Sequence, residues 1–377
     1  MILLLAFFWP RFKRDDSKHN ASMDKSYQKR TLYSSTQFEK IRITLDFQYF
    51  DGTSSDPLMC KNIGDSITWH DGNYQCTVED IPNSTKIEAF KGTMNNVKDY
   101  LERFLKVIHY SDPILLKSDS TREKSIVEGT NISNTDLYLV FFLRPFGDNP
   151  FTSLSISKKD ETYNRAVQAN IYMQQSDLPD IVQSEDSEPN GEFYSILSFI
   201  LRYTAISDQF IYKFHPKYNS NPYTSIVCNL TKYGKKFSIL TTPHAHHFAI
   251  KNYGNSTFYG DDNNCPSGIV IEDSGNAAGG APESTIYYSD ISNSDSTNNK
   301  NGQFKRVSDV TMAFLLDSGN YEVNWSMGQP MIWGNKDSIN GKFMKGWPLS
   351  PPQTTLPDNY FFNPNTPQNT AGYVGMR

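Results

Sequence analysis

The sequence predicts an α+β fold, and three observations carry that expectation. Asp136 to Leu143, with Leu-Tyr-Leu-Val-Phe-Phe-Leu inside it, is apolar on both faces, which marks a central strand; Arg144-Pro145 ends it. Ala166 to Met173 reads as a neighbouring strand. Glu192 to Ser207 then has a helical period, with Phe193, Ile196, Leu197, Ile200 and Leu201 on one stripe and Ser195, Ser198 and Arg202 on the other side. Strand, strand, helix in that order is an α+β core.

Composition narrows the function classes. The 377 residues can bury a large core. A net charge of −5 without a long basic run argues against nucleic acid as a partner. Aromatic residues make up 14 %, which argues for a packed and not a disordered chain. No apolar run reaches the roughly 18 residues that a spanning helix needs.

Taken in order, Met1 to Trp9 is an apolar stub followed by Pro10, Arg11, Lys13 and Arg14, and it reads as a truncated or atypical signal. Residues 11–39 are polar. Lys40 to Phe50 alternates Ile41, Ile43, Leu45 and Phe47 with polar side chains, a half-buried strand. Ile87 to Ile108 is helical through Phe90, Val97, Tyr100, Leu101, Phe104 and Leu105. Ser118 to Asn134 reads as a polar surface segment. The acidic stretch Asp177 to Asn190 leads into the amphipathic helix, where Glu192 suits the positive end of the helix dipole. Residues 208–264 read as turn-rich and 268–280 as Gly-rich. Ser308 caps a helix through Val310, Ala313 and Phe314 that stops at Gly319. Residues 348–377, rich in Pro, Asn, Thr and Gln, read as an extended tail.

The four cysteines form two sequence-local pairs, so Cys60–Cys76 and Cys228–Cys265 are the first choice among three connectivities, and two disulfides fit an oxidising compartment. Sequons at Asn20, Asn83, Asn131, Asn229, Asn255 and Asn324 point the same way. Pro243-His244-Ala245-His246-His247 is the one histidine cluster. A helix would align His244 with His247 and a strand His244 with His246, so either geometry puts two ligands on one face, with no Glu inside the cluster to act as a base.

A longer pattern adds to this. Thr241-Thr242-Pro243, Tyr259-Gly260-Asp261-Asp262, Cys265-Pro266-Ser267-Gly268, Ile271-Glu272-Asp273-Ser274-Gly275, the run Thr311 to Trp325, Gln329-Pro330 and Trp333-Gly334 resemble the leishmanolysin family of surface metallopeptidases in its trichomonad-like form. The likeness extends over roughly Ala166 to Tyr360, and more weakly over Asn95 to Ile108. It implies a metzincin-like core with a mixed sheet and an active-site helix. The implied divisions are 1–39, an N-terminal stub and polar segment; 40–120, a propeptide-like region; 121–207, an N-terminal catalytic-like subdomain; 208–347, a C-terminal catalytic-like subdomain; and the tail 348–377.

Members of that family are zinc endopeptidases, secreted or at the cell surface, and their chemistry needs His-Glu-x-x-His on one helix face plus a third His. Ala205-Ile206-Ser207 and Phe210 set the register. Ser198 then stands at the first His, Phe199 at the Glu and Arg202 at the second His; Gly280-Ala281-Pro282 puts Pro282 at the third. Serine is a poor neutral zinc ligand, phenylalanine takes no proton, arginine brings a fixed positive charge and proline has no donor. No Met lies between Pro282 and Thr311 to form the family's Met-turn, and Met312 belongs to the next helix. The expectation is a chain without a zinc cofactor, a pseudoprotease acting as a binding or adhesion ectodomain for a protein or glycan ligand at a surface. Glu272 or Asp273 would pair with Arg202 in the former cleft. The alternative is an active zinc metalloendopeptidase serving proteolysis and host-cell adhesion through another site, for which His244, His246 and His247 are the candidate ligands.

Overall fold

Strand β1 (Ile43–Asp46) runs parallel to β2 (Leu137–Leu143), and β2 runs parallel to β4 (Ala166–Met173); β3 (Ser153–Lys159) pairs antiparallel on the outer side of β4. The sheet is mixed, in the order β1-β2-β4-β3. In this computed structural model the described residues are 37–69, 72–118, 126–145, 153–188, 190–272, 279–293, 305–332, 334–338, 340–351 and 355. The apolar stub, Asn20, Asp273 and nearly all of the expected tail lie outside them.

Every residue of β2 and β4 is buried, including the polar Gln168 and Asn170 of β4. Leu137, Leu139, Phe141 and Leu143 face the main core, while Tyr138, Val140 and Phe142 pack in a second cluster on the opposite face. Parallel neighbours cannot be joined by a tight turn, so the chain from β1 to β2 makes a long excursion. That excursion contains α1 (Ser84–Phe104), capped by Asn83, whose side chain accepts from the amides of Thr85 and Lys86. Phe90 on α1 meets Phe141 edge to face, with ring centroids 5.5 Å apart. The helix stops earlier than the periodicity suggests. Leu105–Val107 is instead a strand between Glu39–Lys40 and Glu322–Val323, because Leu105 and Val107 point inward and Lys106 outward.

Helix α2 (Gly191–Ala205) packs against α1 and over β3 and β4; Phe193 meets Tyr100 with centroids 5.8 Å apart. The side opposite the expected apolar stripe is not solvated. Ser198 and Arg202 are buried, whereas Ile196 on the expected apolar stripe is half-exposed. A second layer of chain covers the polar face, so amphipathicity alone misassigns it.

The stretch expected to be turn-rich contains regular elements. Strands β5 (Val227–Lys232) and β6 (Lys235–Leu240) form a hairpin across Tyr233 and Gly234, both at positive φ, and β7 (Ile269–Ile271) pairs antiparallel with β6. Gly268 is required beside them, since a Cβ there would lie 1.9 Å from the Leu240 carbonyl oxygen. Helix α3 (Pro243–Tyr253) ends at Gly254 in the left-handed region, and α4 (Asp309–Asp317) starts from its Ser308 cap as the sequence predicts. These strands are short and only partly apolar, so the polar residues around them dominated the reading.

Both expected disulfides are present: Cys60–Cys76, with Cα atoms 5.7 Å apart, and Cys228–Cys265, at 5.8 Å. Among the described residues, no helix is long and apolar enough to cross a membrane.

Candidate functional site

Ser198 and Phe199 are consecutive on α2 with Arg202 about one turn further on, and each has a definite packing role. The Ser198 hydroxyl is 3 % exposed and donates to the carbonyl of Ile291, tying the helix to the segment that covers it. Phe199 is half-buried, with its ring 4.9 Å from that of Tyr203. Arg202 is buried with its guanidinium 5.8 Å from the Tyr203 centroid, and its carbonyl accepts the Ile206 amide at the helix end. Pro282 is buried and bridges Ile271 at the end of β7. Glu272 accepts from the Ser284 amide. Asp273 lies outside the described residues, so the expected ion pair with Arg202 is not described. Met312 is fully buried within α4.

The covering segment is anchored by a buried carboxylate. Asp290 accepts from the hydroxyls of Ser292, Ser308 and Thr311 and from the Ser292 amide at 2.8 Å. Burial raises its pKa, with the hydroxyls of Ser292, Ser308 and Thr311 opposing the rise. Asp290 therefore holds Ile291 over α2 from one side and the first turn of α4 from the other. These donors suit a structural latch. A hydroxyl committed to a carbonyl, a phenyl ring, a guanidinium and a prolyl ring do not fit a zinc ion, so no step through zinc is derived.

The histidine cluster lies on α3, so the helical alternative holds. His244 and His247 are exposed, while the Nδ1 of His246 lies 2.6 Å from the Ser267 carbonyl oxygen. The backbone amides of His244 and Ala245 and the Thr242 hydroxyl all donate to Asp317, a buried carboxylate of α4 that caps α3. Burial raises the Asp317 pKa against those hydrogen bonds. Among the described residues, no group of three or more His, Cys, Asp or Glu side chains could hold a metal ion.

Sequence reasoning missed a charged cluster at the start of β2. Asp136 is fully buried; its Oδ1 accepts from Arg42 Nη2 at 2.9 Å and the Tyr110 amide at 2.7 Å. Its Oδ2 accepts from Arg42 Nε and the Arg42 amide, both at 3.0 Å, and lies 2.8 Å from His109 Nδ1. Burial pushes the Asp136 pKa up, but the Arg42 hydrogen bonds, the Arg165 charge and the two amides outweigh it and hold it below the usual aspartate value. Isolated Arg and Asp in polar surroundings gave no periodic signal. Among the described residues, the sequon asparagines Asn83, Asn131, Asn229, Asn255 and Asn324 are all exposed.

Compared with known proteins, the chain matches no family model and no curated protein.

Proposed function

We propose that this chain is a leishmanolysin-like, metzincin-derived pseudoprotease that acts as a secreted or surface-held binding or adhesion ectodomain. The carrying observation is the state of α2 at the register of the family's zinc motif: Ser198 is hydrogen-bonded to Ile291 and buried beneath the segment that Asp290 anchors. A mixed sheet with a helix packed across it is compatible with a metzincin-like core. Two disulfides and five exposed sequon asparagines are compatible with an extracellular setting. Binding would use the outer surface, where exposed aromatics such as Tyr233, Tyr259 and Trp325 offer flat contacts for a protein or glycan ligand.

The test is zinc content by elemental analysis together with gelatin and casein cleavage, with and without a chelator, on protein from a secretory host. The reading expects less than about a tenth of a zinc per chain and no chelator-sensitive cleavage. About one zinc per chain with chelator-sensitive cleavage would overturn it and favour the active endopeptidase.

A further inference from the structure

The ring of Phe343 lies against the turn that ends α3. Gly254 stops that helix in the left-handed region, and a Cβ built on it would come within 2.8 Å of Phe343 Cδ2. Lys336 Nζ stands over the ring, 5.4 Å from its centroid, and Phe343 is still 48 % exposed. Ile250, whose carbonyl accepts the Gly254 amide, is 40 % exposed one turn earlier. Two large apolar side chains thus stand open at one helix end.

The residue after Gly254 is the acceptor of a sequon. Asn255-Ser256-Thr257 begins one Cα step, about 3.8 Å, beyond the residue on which the ring is packed. Asn255 and Ser256 are exposed, and Thr257 opens the strand Thr257–Tyr259. Other sequons are placed differently. At Asn83 and Asn324 the side-chain oxygen already caps a helix, and Asn324 Nδ2 also donates to the Arg103 carbonyl. Asn131 stands opposite Leu115, an aliphatic side chain with no ring face to offer.

We propose that Asn255 carries an N-linked glycan whose first N-acetylglucosamine packs on the Phe343 ring. In the coupling, Asn255 Nδ2 gains a bond to the anomeric carbon and gives up one proton to a base of the transferase. The bond from that carbon to the diphosphate of a lipid-linked oligosaccharide breaks, and the diphosphate leaves with the electron pair. A β-linked pyranose presents axial C–H bonds on one face, which suits the negative face of a phenyl ring, while its hydroxyls stay in water at the rim. The sugar then covers apolar surface at the end of α3 that protein leaves open. The proposal rests on the secretory setting in the proposed function, not on the loss of the zinc site.

The test uses the full chain from a eukaryotic secretory host, with glycopeptide mass spectrometry for occupancy and calorimetry on wild type, Asn255→Gln, Phe343→Ala and the double variant. Asn255 is expected to be occupied. Phe343→Ala is expected to lower Tm by about 1–2 °C more in the glycosylated protein than in the Asn255→Gln background. Equal effects in the two backgrounds would overturn the proposal. Occupied sequons elsewhere with Asn255 bare would overturn it and leave the secretory setting intact; no occupied sequon would overturn both. Should a variant fail to fold, the wild type decides: with isotope-labelled sugar, ring protons of the first residue on Asn255 are expected upfield of their positions in the released glycan, and unshifted protons would sink the idea. Zinc-dependent cleavage by the same sample would fail the pseudoprotease reading alone.

Discussion

At the residue scale, buried polar side chains carry the specificity of the α2 region. Ser198 gives up a solvent hydrogen bond and gains the Ile291 carbonyl, a modest net gain, but removing it leaves that carbonyl without its donor. Ser198→Ala is therefore expected to lower unfolding free energy by about 1–2 kcal/mol in urea titrations, with no change in fold. A cost near zero would show that the covering segment does not depend on this contact. Ser198→His meets a different obstacle: an imidazole in a space packed for a hydroxyl would push the Ile291 segment off the helix.

At the scale of elements, the two disulfides staple different kinds of structure. Cys60–Cys76 closes a small satellite cluster with Ile67, whereas Cys228–Cys265 ties the β5–β6 hairpin to the strand Asn264–Pro266 beside it. Their sequence separations of 16 and 37 residues correspond to chain-entropy contributions of about 3 and about 4 kcal/mol. Replacing each pair by serine is expected to lower Tm more for Cys228/Cys265 than for Cys60/Cys76, measured by calorimetry on proteins of equal glycosylation. The reverse order would mean that strain or residual structure, and not loop closure, sets the difference.

At the scale of the whole molecule, Asp136 ties together the entry to β1 through Arg42, the exit of the strand Leu105–Val107 through His109 and Tyr110, and the entry to β4 through the charge of Arg165. Its folded pKa is depressed, so between the folded and unfolded values the unfolded chain binds more protons. The stability it contributes is fully present above the unfolded value of about 3.9 and is lost as pH falls through the folded one. Asp290 and Asp317 act oppositely, because raised pKa values make their contribution greatest at low pH and smaller as pH rises through the folded values. Asp136→Asn is expected to cost about 3 kcal/mol at pH 7 and to flatten the loss of stability below about pH 4. Parallel acid limbs for the two proteins would show that Asp136 does not drive the acid transition.

The amino-acid sequence by itself determined the central strands, the helix across them and the Ser308-capped helix, and it made the two sequence-local disulfides the first choice of three. In each of these the burying pattern is local, with a period of 2 or 3.6, a capping hydroxyl, or cysteines close in sequence. It also placed Ser198, Phe199 and Arg202 on one helix, with Ser198 and Arg202 opposite the apolar stripe. Only the tertiary structure decided that Ile291, 93 residues away, would cover that face. The same holds for Asp136, whose partner Arg42 lies 94 residues earlier. Periodicity reports which side of an element is apolar. It carries no information about which distant polar group will close over the other side, because that depends on how the chain returns and on which buried donors and acceptors must then be satisfied.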